Sequence, residues 1–161
     1  MQGFVKSVLG AIVSIGLVFG AAGVSAMGSG GGSKPSGGNQ KSNYEQAVSK
    51  VKALDYPGAI ALLKQVVAAD PKNADALNYL GFSYRETNDL KSALSYYQKA
   101  LAINPNHKGA NEYLGELYVR LGDLTKAREQ LAILDKLCSF GCTEYEELKS
   151  KVAALGKKRG S

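Results

Sequence analysis

Residues 74–107 read ADALNYLGFSYRETNDLKSALSYYQKALAINPNH, and their spacing decides how the chain folds. Leu80, Gly81 and Tyr84 share one helical segment, Ala93, Tyr97 and Ala100 share a second, and Pro105 follows it. Between the two, Asn88-Asp89 supplies side chains suited to a tight turn, so the stretch predicts a helix hairpin. Moved 34 residues along the chain, it lays Leu80 on Leu114, Gly81 on Gly115, Tyr84 on Tyr118, Asp89 on Asp123, Leu90 on Leu124 and Ala93 on Ala127. Moved back by the same step, it lays Ala93 on Ala59, Pro105 on Pro71 and Asp89 on Asp55. A fixed period of this size signals a repeat array, in which each unit is too small to bury its apolar face alone and does so against its neighbours.

Three units follow, at about 40–73, 74–107 and 108–141. In the first, Tyr44, Ala47, Val48, Val51 and Leu54 recur at helical spacing, Tyr56-Pro57-Gly58 interrupts, and Ile60, Leu63, Val66 and Val67 resume the period. Pro57 suits the first turn of the second helix, where its missing N–H costs little. Gly81 and Gly115 place no side chain where the helices of a hairpin approach, Tyr84 and Tyr118 fill space one turn later, and small Ala93 and Ala127 answer them from the second helix. Beyond Leu137, Thr143 with Glu146 is a capping-box pair that starts a further helix. Its apolar stripe is Tyr145, Leu148, Val152 and Leu155, its wet side Glu144, Glu147, Lys149 and Lys151, and Gly156 is expected to stop it, leaving 156–161 as a basic tail.

The chain has 161 residues and a formal charge of +6. The excess lies in Lys6, Lys34 and Lys41 at one end and Lys157, Lys158 and Arg159 at the other, so the body from Asn43 to Leu155 is formally neutral. A nucleic-acid binder needs its basic footprint on a folded face, and this distribution argues against one. Val8–Ala26 runs VLGAIVSIGLVFGAAGVSA without a charge and ends small-x-small, which reads as a secretory signal peptide over 1–26. An uncleaved anchor is the competing reading, because the run reaches the lower length limit of a spanning helix; Gly10, Gly16, Gly20 and Gly23 dilute its apolarity and favour cleavage. Only the anchor would bring the protein to a membrane. No Cys follows the run, so lipoprotein processing has no support. Residues 27–42, Gly/Ser-rich, are expected to be a flexible linker.

Cys138 and Cys142 flank a bend. In an oxidising compartment they are expected to form a disulfide tying the last unit to the closing helix. Free thiols would require the cytoplasm, a redox pair would more often be spaced Cys-x2-Cys, and a metal site lacks further ligands. The single histidine, His107, sits at a unit boundary and reads as a surface residue. No nucleophile with an orienting base, no phosphate-binding loop and no metal-ligand cluster emerges, so neither catalysis nor a cofactor is expected.

The units resemble the tetratricopeptide repeat family, whose signature is Leu-Gly-x-x-Tyr on the first helix, Ala-x-x-x-Phe/Tyr-x-x-Ala on the second and proline at the boundary. The resemblance spans Asn43–Leu137 and is complete in the second unit; the third has Leu131, Leu134 and Ser139 at the places of Tyr97, Ala100 and the boundary proline. It implies an all-α, right-handed α-solenoid of three helix-turn-helix units plus a capping helix over about 143–155, with a concave groove lined by the first helix of each pair. Carried across, the groove positions are Tyr44, Val48, Val51 and Lys52, then Asp75, Asn78, Phe82, Arg85 and Glu86, then Glu112, Glu116, Val119 and Arg120. An aromatic among mixed charges suits a peptide with an apolar anchor; alternatively Phe82 packs under the signal-side segment or against Val48, and the charges are a solvated face. The family's carboxylate clamp for chaperone tails requires Lys, Asn, Asn, Lys and Arg at positions that hold Tyr44, Val48, Tyr79, Gly109 and Tyr113, so that binding is not expected. The combined expectation is an exported, periplasmic module that binds a protein or peptide, or else a scaffold tethered to the inner membrane.

Overall fold

The computed structural model describes residues 37–139 and 141–160. Val8–Ala26, with the signal and anchor readings attached to it, lies outside the described residues, as does the linker up to residue 36. The described residues form seven helices in chain order: α1 (Gly37–Lys52), α2 (Tyr56–Ala69), α3 (Ala74–Glu86), α4 (Leu90–Ile103), α5 (Lys108–Arg120), α6 (Leu124–Leu137) and α7 (Thr143–Gly160). They pair as α1/α2, α3/α4 and α5/α6, each hairpin packs on the next, and α7 closes the stack against α5 and α6. The chain is an all-α helical-repeat solenoid.

The 34-residue period is written into the backbone of the turns. Leu54, Asn88 and Gly122 stand one period apart and all adopt positive φ, at 60°, 67° and 76°. Each is the left-handed residue of a helix-ending motif in which the next N–H reaches back five residues: Asp55 to the Lys50 carbonyl, Asp89 to Tyr84 and Asp123 to Tyr118. The same aspartates cap the following helices, accepting from the N–H groups of Gly58, Ser92 and Lys126 at 2.9, 3.0 and 3.1 Å. One residue thus ends a helix and begins another, which is why the hairpin turns are short. Leucine is a poor occupant of the left-handed region, and Leu54 is 69% exposed with little packing to lose. Leu54→Gly is therefore expected to stabilise the domain by about 1 kcal/mol, read as a raised urea midpoint; an unchanged or lowered midpoint would show that Leu54 is unstrained.

The core runs through the stack in segments. Ala47, Ala59, Leu63, Val66 and Leu80 fill the first interface, and Tyr97, Leu114, Leu117, Ala127, Leu134 and Leu148 fill the last. The close-approach reading of Gly81 holds: a Cβ there would stand 2.6 Å from the Tyr97 ring of the same hairpin. Gly115 differs, since its nearest neighbour is Leu148 of α7, 2.4 Å from a Cβ, with Gln130 of its own hairpin farther at 3.2 Å. The third unit has Leu131 where the second has Tyr97, and α7 brings in the fully buried Leu148 to fill the space over its glycine.

Four expectations are corrected. Helix α1 begins at Gly37, inside the stretch read as linker. The cap of α7 falls on Cys142, whose carbonyl accepts from Glu146 N–H at 3.1 Å, so Thr143 is the first helical residue and not the cap. Gly156 does not stop α7, which continues to Gly160; one glycine costs a helix about 1 kcal/mol, and Lys157 and Lys158 suit the negative end of the helix dipole. His107 is no bystander: its Nδ1 accepts from Ala110 N–H at 3.2 Å to cap α5, and its Nε2 meets Asp75 of α3 at 3.0 Å.

Candidate functional site

The first helices α1, α3 and α5 lie side by side, and repeat register lines up their side chains across the row. Tyr44 on α1 meets Tyr79 on α3 edge-on at 6.0 Å. Phe82, one turn farther along α3, meets Tyr56 at 6.0 Å and Tyr113 of α5 at 5.0 Å. Tyr113 also lies 6.3 Å from the fully buried Tyr97 of α4. An aromatic series therefore crosses three repeats, with Tyr44, Tyr79, Phe82 and Tyr113 half-buried at its surface. Burial pushes the hydroxyls of Tyr44 and Tyr113 up to about 12, with Asp75 adding to the first and Glu112 to the second. Both are neutral donors at physiological pH.

Beside this series the row turns polar. Of the thirteen residues assigned to a groove, Val51, Asn78, Arg85, Glu112 and Glu116 are less than a tenth exposed. Arg85 forms a buried ion pair with Glu116 through Nη1, meets Glu86 through Nε at 3.1 Å, and lies over the Phe82 and Tyr113 rings at 5.1 and 5.3 Å. Arg120 donates from Nη1 to the Arg85 carbonyl at 2.8 Å and from Nη2 to Asn88 Oδ1 at 3.0 Å, tying the third unit to the second. Both arginines thus work inside the fold, and Phe82 and Glu86 keep partial access to solvent.

Glu147 and Lys151, read as the wet side of α7, are exposed as expected and also reach across to α5. Lys151 pairs with Glu116, and the carboxylates of Glu112, Glu116 and Glu147 lie within 4.8 Å of one another. Burial, then Glu116, then the hydrogen bond to Glu147 raise the Glu112 carboxyl to about 8. Sequence reading missed this pair because Glu147 and Lys151 were judged by their own helix. The available signal was their position flanking Leu148 and Val152 one turn apart, at the edge of the buried stripe.

Four buried polar atoms make no hydrogen bond among the described residues: Asn78 Oδ1, Ser83 Oγ, Tyr97 OH and Gln130 Oε1. Elsewhere a cavity of about 460 Å³ between α2, α3 and α4 is lined by Val67, Leu77, Tyr96, Lys99 and Ile103, with Lys99 lying over the Tyr96 ring at 4.9 Å. The two sulfurs of Cys138 and Cys142 stand at bonding distance, with their Cα atoms 5.6 Å apart.

Stacked helix hairpins with capped, period-locked turns define an α-helical repeat protein. Two sequence models described as tetratricopeptide repeat match residues 44–108 and 84–137, together more than half of the chain, and the chain belongs to that family. Among curated protein sequences none matches it. Solved structures share the fold at low identity. One is the first such domain of Spaghetti (RPAP3) bound to an HSP90 peptide, at 21% identity and TM-score 0.65, covering 73% of this chain and 93% of that one. A second is the Yersinia enterocolitica type III secretion chaperone SycD with a peptide of the translocator YopD, at 16% identity and TM-score 0.67, covering 77% and 97%. A third is the TPR2B domain of yeast Sti1 in complex with pHsp70, at 14% identity and TM-score 0.68, covering 74% and 97%.

Proposed function

We propose that this chain is a non-catalytic interaction module of the bacterial cell envelope that holds a peptide segment of a partner protein against the row formed by α1, α3 and α5. The observation that carries the reading is the aromatic series Tyr44, Tyr79, Phe82 and Tyr113, which crosses three repeats with part of each ring open to solvent. Rigid aromatic rings with few rotatable bonds are efficient anchors for a peptide, since little side-chain entropy is lost on binding. Fold neighbours solved with peptides support the class of ligand. The carboxylate clamp has no counterpart here, because tyrosines, valine and glycine stand at its positions.

A photocrosslinking residue at Tyr79 is expected to capture a discrete partner, identified by mass spectrometry, whereas one at Lys99 on the second-helix row captures none of it. Equal capture from both positions would remove the site from the first-helix row.

The uncharged run Val8–Ala26 supports export, with tethering through that run as the alternative. A mature chain starting near Met27 would exclude the tether, and an intact Met1 in the membrane fraction would exclude cleavage. Export also bears on Cys138 and Cys142. In envelope protein they are expected to resist alkylation until a reductant is added, and ready alkylation without it would refute the disulfide.

A further inference from the structure

The reading of the first-helix row as a peptide site leaves open what chemistry it selects, and the charge arrangement at its C-terminal end bears on that. Three carboxylates, Glu112, Glu116 and Glu147, converge there. Two cations answer them: Arg85 from α3 pairs with Glu116, and Lys151 from α7 pairs with Glu116 and, at 4.0 Å, with Glu147. Glu86 adds a further carboxylate on Arg85 at the solvent edge, while Arg120 is turned away to a backbone carbonyl and Asn88. Glu112, 5% exposed, is left facing Glu147 with no ion-pair partner of its own among the described residues. A buried carboxylate in that position either holds a proton or awaits a cation.

Two further observations point to a ligand. The Tyr97 hydroxyl is fully buried, has no hydrogen-bond partner among the described residues, and lies in the field of Arg85, Glu116 and Tyr113. The Asn78 amide, 5% exposed, lies between α3 and α5, its Nδ2 3.3 Å from where a Cβ on Gly109 would stand and its Oδ1 without a donor. Tyr79 and Tyr113, adjacent in sequence to Asn78 and Glu112, place half-buried aromatic rings on the same row. The guanidinium of Arg85 already lies over Phe82 and Tyr113, which shows that aromatic rings on this row accept a cation. A divalent metal fits less well, because Arg85 and Lys151 already balance two of the three carboxylates, and the remaining single charge is matched by one monovalent side chain.

We propose that the face between Tyr79, Tyr113 and Glu147 receives a cationic side chain, lysine or arginine, of the bound peptide. Its charge is the counter-ion that Glu112 lacks, its stem lies along the tyrosine rings, and a neighbouring apolar residue of the peptide rests on Tyr44 and Phe82. The groove thus selects basic-aromatic or basic-aliphatic segments. Binding is coupled to proton release: below the Glu112 titration a proton occupies the place of the ligand charge, so the affinity for a cationic peptide rises as the pH increases through about 8.

The test is an NMR titration of the full chain with two acetylated, amidated heptapeptides, Gly-Ser-Phe-Ser-Lys-Ser-Gly and its norleucine counterpart. The lysine peptide is expected to shift Tyr79, Tyr113 and Glu147 resonances and to bind about tenfold more tightly than the norleucine peptide. That advantage should grow from pH 6 to 9 and vanish in the Glu112→Gln/Glu147→Gln variant, whose neutral isosteres keep the packing. Equal affinities at every pH would overturn the cation site and leave the peptide groove standing. Failure of both peptides to shift the first-helix row would overturn the groove and the inference with it. Identical shifts with Mg²⁺, Ca²⁺ or Zn²⁺ alone, blocking the peptide, would reassign the cluster to a metal and also overturn the proposal.

Discussion

Replacing Arg85 with alanine is expected to lower the unfolding free energy by about 3 kcal/mol, because it removes one member of a buried ion pair and strands the other. Arg85 is 7% and Glu116 9% exposed, so neither carboxylate nor guanidinium has water to fall back on. The guanidinium also fills the space over the Phe82 and Tyr113 rings, and that contact is lost with it. Lys151 still faces Glu116 in the variant, which holds the loss near the lower end of the range for such deletions. Replacing the pair together, Arg85→Met with Glu116→Leu, is expected to recover most of the stability, since an apolar pair of similar volume avoids both desolvation costs. Urea denaturation of the two single variants and the double variant measures the coupling directly. Additive losses would show that Arg85 and Glu116 do not act as a pair. The result also separates two roles that are easily confused: weakened partner binding in Arg85→Ala would report an altered fold, not a lost contact.

Leu148→Ala is expected to have an effect of similar size, about 3 kcal/mol, through a cavity at the junction of α5, α6 and α7. Leu148 is fully buried, and its methyl groups occupy the space that Gly115 leaves open. The variant should lose hydrogen-exchange protection along 143–160 before the rest of the domain opens, because α7 has neighbours on one side only. Gly115→Ala is expected to be destabilising on its own, by about 1–3 kcal/mol, since its Cβ would stand 2.4 Å from Leu148. Combined with Leu148→Ala the added methyl has room, and the double variant should be more stable than the sum of the two losses. Strict additivity would mean that Gly115 is not the seat of the α7 contact.

These expectations show where sequence was a sufficient guide. The hairpins, their period and their turns were legible because they depend on local chemistry repeated every 34 residues. Aspartate at 55, 89 and 123 caps a helix wherever it stands, and glycine at 81 admits a neighbouring ring by the same rule as any small residue at a close approach. The aromatic part of the candidate site was half legible. Phe82 stood out by its place after Leu80-Gly81, but its contacts with Tyr56 and Tyr113 join residues from three helices that nothing local connects.

The charged part was misjudged because charge was read one helix at a time. On α3, Arg85 follows the buried stripe by one turn and resembles a side chain offered to a ligand. On α7, Glu147 and Lys151 resemble a solvated face. The burial of Arg85 and the reach of Lys151 and Glu147 across to α5 arise only when α5 supplies Glu112 and Glu116 between them. His107 was misread for the same reason, since its cap is local but its second partner, Asp75, comes from the preceding repeat.

Sequence by itself determined that this protein is an array of three helix hairpins with a closing helix, because helix periodicity, caps and turn residues act over a few residues and repeat. Only the tertiary structure decided which charges are spent inside the array and which remain for a partner, because ion pairing and desolvation depend on what a neighbouring helix brings to within a few ångströms. The carboxylate of Glu112, left facing another carboxylate with no cation of its own, is a property of two helices packed together and belongs to neither alone.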